Sequence, residues 1–201
     1  MFLAGTVSSA AILNWAMTEL MRNPNAMRKA QDEVRASIGT KGKVEEADLH
    51  QLKYLKCIVK ETMRLYTPLP LLLPRETTRQ FKIGGYDVLP KTRVIINVWA
   101  IGRDPNSWEN PEEFLPDRFM DSSIDLKGND FEFIPFGAGR RICPAINFGM
   151  TMVEIALANL LYLFDWKLTD GMCKEDIDKE EAPTIVLNKK HDLYLVGKKC
   201  I

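Results

Sequence analysis

From its start to Arg22 the chain is largely apolar, with Asn14 and Glu19 as internal polar breaks, until Asn23-Pro24 interrupts it. This pattern predicts a first helix over 2–22, because the residue before a proline is pushed out of the helical region. A second, amphipathic helix is expected from about Asn25 to Gly39. Further on, Leu52, Leu55, Ile58, Val59, Met63 and Leu65 recur at helical spacing and fill one apolar stripe. That stripe predicts a third helix, capped by Asp48, ended by Pro68 and turned toward a core. From Phe81 to Val98, apolar and β-branched residues are broken by Gly84-Gly85 and Leu89-Pro90, as expected of strands joined by a hairpin turn. Residues 102–134 carry Pro, Asp and Asn throughout and read as ordered coil. Burial of Trp99, Trp108, Phe114, Phe119 and Phe131 would pin that coil, since aromatic rings bring large apolar area. A long apolar helix is expected from about Ala145 to Phe164, then two closing strands over 163–168 and 184–196. The predicted fold is mostly α with a minor β-sheet, an α+β arrangement without internal repeats.

Composition narrows the function classes. The 201 residues are 46% hydrophobic, and 27 basic against 27 acidic residues leave a formal net charge of +0. Lys189-Lys190 and Lys198-Lys199 are short basic pairs that solvated edges explain, so no nucleic-acid partner is expected. Cys57, Cys143, Cys173 and Cys200 show no C-x-x-C pairing and no histidine partner at zinc spacing, which argues against a disulfide framework and a zinc knuckle. Cys57 falls among core positions. His50 and His191 read as surface residues. The opening stretch lacks the basic start and small-residue cleavage site of a signal peptide, and Asn14 and Glu19 interrupt it as a bilayer span. It reads as a helix already in progress, so a truncated chain or an internal start is expected.

The candidate chemistry centres on Phe136-Gly-Ala-Gly-Arg-Arg-Ile-Cys143-Pro144. A cysteine binds metal or attacks as the thiolate, and a helix N-terminus with neighbouring arginines favours that anion. Gly137 and Gly139 let the backbone turn tightly and let a flat ligand approach, and Pro144 is expected to open the following helix. Taken alone, a cysteine before a helix also fits a small buried hydrophobe. Glu61 and Arg64 are three apart on the third helix and share a face. They fit either a solvated surface pair or part of a buried network.

Together these segments resemble the cytochromes P-450, the haem-thiolate monooxygenases. That family's cysteine loop reads F-x-x-G-x-R-x-C-x-G, filled here by Phe136, Gly139, Arg141 and Cys143, with Ala145 in place of the last glycine. Its E-x-x-R helix matches Glu61 and Arg64, and its P-E/D-R-F element matches Pro116, Asp117, Arg118 and Phe119. The R-R-x-C-P sequence, the Leu71-Leu-Leu-Pro74-Arg75-Glu76 run and the Glu180-Glu-Ala-Pro183 segment are similar to the plant microsomal branch. The resemblance covers residues 1–201 and corresponds to the C-terminal half of such an enzyme, from the distal helix to the closing strands.

The resemblance implies haem (iron protoporphyrin IX) as cofactor, with Cys143 as axial ligand to the iron and Arg75 and Arg141 as partners of the haem propionates. A structural network of Glu61, Arg64 and Arg118 is implied. Helix 2–22 would cross the distal haem face. Leu3, Ala4, Val7, Leu69, Leu71, Leu72, Thr184 and Ile185 would line the substrate pocket. Where the family has A-G-x-D/E-T, this chain reads Ala4-Gly5-Thr6-Val7-Ser8, so the acid is lost and Thr6 and Ser8 remain as candidate catalytic hydroxyls. The implied activity is insertion of one oxygen atom from O2 into an apolar plant secondary metabolite, with electrons from NADPH through a reductase. The implied setting is the cytosolic face of the endoplasmic reticulum membrane, held by an N-terminal half not included in residues 1–201. The alternative is a truncated, non-catalytic fragment. A thiol redox protein using Cys143 is the weaker third reading, since no resolving cysteine lies nearby in sequence.

Overall fold

A computed structural model describes the backbone of residues 2–200 and the side chains of residues 4–200. The side chain of Leu3, assigned above to the substrate pocket, lies outside the described residues. The helices are α1 (Phe2–Arg22), α2 (Pro24–Ile38), α3 (Lys53–Leu65), the short α4 (Val98–Ile101) and α5 (Ile146–Leu163). Three two-stranded antiparallel sheets accompany them: β1 (Arg75–Glu76) with β4 (Arg93–Val94), β2 (Phe81–Ile83) with β3 (Tyr86–Val88), and β5 (Phe164–Leu168) with β6 (Leu195–Lys199).

The core is helical. Ile12, Trp15, Ala16 and Leu20 of α1 meet Met27, Ala30 and Val34 of α2 and Leu55, Ile58 and Val59 of α3. Val153, Leu157, Ala158 and Leu161 of α5 complete it. Every member of the predicted stripe from Leu52 to Leu65 is buried. Among the described residues only α5 is long and apolar enough to cross a membrane, and its buried face packs in this core. Cys57 is buried; Cys173, His50 and His191 are exposed.

Several expected elements sit differently. Asp48 does not cap α3; it is the third residue of a 3-10 turn over Glu46–Gln51, where its carboxylate accepts the Glu45 N–H at 2.9 Å. The hairpin lies where predicted, and Gly84 and Gly85, at φ of 56° and 86°, adopt the left-handed pair that a two-residue antiparallel turn requires. Val98 opens a helical turn, because the Asn97 side chain accepts the Ala100 N–H at 3.0 Å. Phe131 does not pin the coil and is 70% exposed; Phe133 takes that place, packed with Trp108 and Phe119 at centroid distances of 6.2 and 5.2 Å. The last strand begins only at Leu195. The preceding segment is drawn elsewhere, as Leu187 donates to the Pro68 carbonyl at 2.9 Å and accepts from the Trp15 indole at 2.8 Å.

Leu71, Leu73, Ile95, Phe148 and Ile185 all stand exposed, Ile185 at 83%. Expressed alone, the 201-residue chain is expected to self-associate or to be held by chaperones, since exposed apolar surface drives association. Light scattering coupled to size exclusion measures this. A monodisperse monomer carrying stoichiometric haem would contradict it.

Candidate functional site

The loop from Phe136 to Cys143 closes on itself. The Cys143 N–H donates to the Phe136 carbonyl at 3.0 Å, and the Ile142 N–H donates to the Gly139 carbonyl at 3.1 Å. Gly137 and Gly139 have φ of 75° and 68°, backbone that side-chain-bearing residues rarely adopt. A Cβ on Gly139 would meet nothing within 4 Å, so the loop leaves open space there. Pro144 is not the first helical residue. It stands in a turn, and the first α5 hydrogen bond runs from the Gly149 N–H to the Ala145 carbonyl at 2.8 Å. Cys143 is half-buried and forms no disulfide.

Beside this loop lies a cavity of about 320 Å³ lined by Leu72, Arg75, Ile96, Phe131, Ile134, Ala138, Arg140 and Arg141. Arg75, from β1, reaches across to donate to the Arg141 carbonyl at 3.3 Å. Leu72 holds a left-handed backbone, φ 50°, which is uncommon for a branched residue. The structure thus brings together Arg75, Arg141 and Leu72, and adds Arg140, Ile96 and Ile134, which sequence reasoning did not assign to a site. The doubled arginine was the visible signal for Arg140; Ile96 had none. The donor set fits a flat, largely apolar ligand bearing carboxylates, as haem does: apolar walls, three guanidinium groups and an unbridged thiol on the same loop.

The remaining predicted pocket residues are less closely gathered. Leu69 and Val7 are half-buried, while Ala4, Leu71, Thr184 and Ile185 are exposed. Leu72 alone of these residues lines the cavity. On α1, Ser8 donates its hydroxyl proton to the Ala4 carbonyl at 2.6 Å. Thr6 is exposed.

Glu61, Arg64 and Arg118 converge. The Glu61 and Arg64 side chains of α3 are fully buried, with Arg64 Nε and Nη2 donating to the two Glu61 oxygens at 2.8 and 2.9 Å. Arg64 also donates to the carbonyls of Gly102, Pro111 and Glu113 at 2.5, 2.7 and 3.0 Å, so all five of its N–H groups are used. Glu61 Oε1 accepts further from Arg118 Nε at 3.0 Å and from the Leu115 N–H at 2.8 Å. Arg118 in turn donates to the Glu109 and Asn110 carbonyls. The surface-pair reading of Glu61 and Arg64 is therefore excluded. The approach is so close that a Cβ on Gly102 would lie 2.4 Å from the Arg64 carbonyl oxygen.

Comparison with known proteins agrees with this geometry. The family model "Cytochrome P450" matches residues 1–196. Cytochrome P450 71A1 of Persea americana is 59% identical over 199 residues, covering 99% of this chain and 40% of that protein. Cytochrome P450 71B37 of Arabidopsis thaliana is 56% identical over 197 residues, covering 98% and 39%. A solved zebra fish cytochrome P450 structure with abiraterone superposes with a TM-score of 0.87 at 26% identity, covering 98% of this chain and 45% of that one. The chain spans about two fifths of the length of the curated relatives it matches. With a family model spanning nearly all of it, a shared fold and the E-x-x-R charge network in place, this chain belongs to the cytochrome P450 family.

Proposed function

We propose that the protein to which this segment belongs is a haem-thiolate monooxygenase and that Cys143 would supply the sulfur that holds the haem iron. The observation carrying this reading is one convergence: an unbridged, half-buried thiol ahead of the 18-residue helix α5, and beside it the cavity lined by Arg75, Arg140 and Arg141. When bound, haem would supply the activation of O2, with one oxygen atom entering the substrate and the other leaving as water.

The other tasks fall to the chain. Arg140 and Arg141 place two positive charges on the loop that carries Cys143, beside the cavity. Arg75 and Arg141 hold carboxylates, for which a planar guanidinium is suited. Gly139 keeps the loop open where a side chain would stand in the way of a flat ligand. Ala4, Val7, Leu69, Leu71, Leu72, Thr184 and Ile185 supply the apolar or weakly polar surface for a small apolar substrate. Electrons come from NADPH through a reductase, at the cytosolic face of the endoplasmic reticulum. The test is the reduced carbon monoxide spectrum of a full-length enzyme carrying this segment. A red-shifted Soret band supports thiolate ligation, and an unshifted band overturns it.

Proton handling on α1 departs from the family pattern. Val7 can neither carry a proton nor order water, and the Ser8 proton is engaged with the Ala4 carbonyl, leaving its oxygen as an acceptor. A general acid or base contributes roughly 100-fold to 10,000-fold, so its loss shows as reducing equivalents wasted on peroxide or as a rearrangement needing no protonation. Val7→Asp is expected to raise product formed per NADPH consumed and to lower peroxide release. Tight coupling in the wild type, unchanged by Val7→Asp, would make Val7 a substrate-pocket residue only.

A further inference from the structure

Away from the cavity, the core holds a stacked aromatic pair with a base attached. The rings of Trp15 and Tyr66 lie 4.0 Å apart and within 4° of parallel. The Tyr66 hydroxyl donates to Glu19 Oε1 at 2.5 Å, and both groups are buried, Glu19 at 2% exposure. Asn23 donates to the other Glu19 oxygen at 3.1 Å, and the Lys179 ammonium stands 3.7 Å from Oε1. Trp15 belongs to α1, seven residues beyond Ser8, which places it roughly 10 Å along the axis at 1.5 Å per residue. Tyr66 closes α3, three residues before Leu69.

We propose that Tyr66 is a redox-active tyrosine that gives up one electron through the stacked Trp15 ring and passes its phenolic proton to Glu19. The balance is explicit. A high-potential metal complex, a ruthenium(III) polypyridyl, is reduced by one electron to ruthenium(II), the Tyr66 O–H bond breaks, the proton joins a Glu19 carboxylate oxygen, and a neutral tyrosyl radical remains. A phenol that loses an electron becomes a strong acid, so the oxidation is easy only where a base waits within hydrogen-bond reach.

Among the described residues, Tyr66 alone of the five tyrosines has a carboxylate at such a distance. The Tyr162 hydroxyl donates at 2.8 Å to the Gly39 carbonyl, which cannot take up a proton. Tyr54 stands 3.5 Å from Asp117, too far for a well-formed bond, and carries the Lys29 ammonium 3.9 Å from its ring. Tyr86 and Tyr194 are 78% and 69% exposed. Burial, reinforced by Glu19, pushes the Tyr66 phenol well above the usual range, so it does not ionise alone and electron and proton leave together. Trp15 fits a relay and not a trap. Its indole N–H faces the Leu187 carbonyl at 2.8 Å, and Lys189 stands 5.1 Å over its ring, so a cation on that ring is disfavoured. In an oxygenase, the pair would drain oxidising equivalents that fail to reach a substrate; that role rests on the function proposed above, whereas the redox chemistry of Tyr66 does not.

The experiment uses the full-length protein without haem and with Tyr86 and Tyr194 replaced by Phe. A photo-oxidised ruthenium polypyridyl is the oxidant, and electron paramagnetic resonance of freeze-trapped samples is the readout. The expected result is a neutral tyrosyl spectrum that Tyr66→Phe removes. Glu19→Gln should slow its formation by about 100-fold, the lower end of what a positioned base contributes. Site-specific 3-fluorotyrosine at position 66 keeps the ring and its hydroxyl, so it serves even where Tyr66→Phe fails to fold; fluorine hyperfine splitting then marks the radical. No tyrosyl signal, or a signal lacking that splitting, overturns the proposal. Failure of Cys143 to ligate haem would leave this measurement untouched.

Discussion

Replacing Cys143 by alanine in a full-length enzyme carrying this segment is expected to abolish the red-shifted Soret band of the reduced carbon monoxide complex. That shift would report a cysteine sulfur holding the haem, and Cys57, Cys173 and Cys200 are not on the loop beside the cavity. Cys57 is buried, and its thiol is pushed up chiefly by desolvation, which disfavours a thiolate there. Turnover should fall with the band. Arg75→Ala and Arg141→Ala serve as graded comparisons: each removes one guanidinium from the cavity lining, so haem retention should weaken while the band keeps its position. Retention of the shifted band in Cys143→Ala would move the ligand elsewhere and remove the basis for the proposed function.

The helices were legible because their signals are local. The stripe from Leu52 to Leu65 and the proline at 24 mark α3 and the start of α2 without reference to the rest of the chain. The Gly84-Gly85 turn is likewise local, since two consecutive positive φ values demand such residues. Less legible were elements whose form depends on distant partners. β1 is only Arg75–Glu76, paired with β4 eighteen residues on, and no alternation shows in so short a strand. The choice between Phe131 and Phe133 as the buried ring turns on which side faces Trp108, which coil composition cannot reveal. At the site, Arg64 and Glu61 were visible as a pair, but the three carbonyls that complete the Arg64 shell come from residues 102–113 and carry no side-chain signature. The stacked pair of Trp15 and Tyr66 joins two helices far apart in sequence, and neither residue stood out from other core aromatics.

That shell makes the second large effect calculable. Glu61→Ala is expected to destabilise the fold by about 3 to 5 kcal/mol, the cost of removing one partner from a buried ion pair. The removal strands Arg64, whose side chain is fully buried and whose Nε and Nη2 both aim at the missing carboxylate. It also releases Arg118 and the Leu115 N–H, both held by Glu61 Oε1. The segment over residues 109–118 would then keep the Arg64 bonds to the Pro111 and Glu113 carbonyls but lose those to Glu61, and the Trp108 ring, 5.2 Å from the Arg64 guanidinium, would lose its neighbour's fixed position. Against a typical domain stability of about 5 to 15 kcal/mol, a loss of this size leaves much of the protein as misfolded apoprotein. Glu61→Gln separates charge from shape: it keeps one acceptor but leaves the two guanidinium charges uncompensated, so most of the loss should persist. Arg64→Lys should also fail, because one ammonium with three donors cannot reach the carbonyls of Gly102, Pro111 and Glu113 while pairing with Glu61. Thermal melts and the yield of soluble, haem-loaded protein report the outcome. A soluble, haem-loaded Glu61→Ala with unchanged melting would show that the network positions nothing the fold needs.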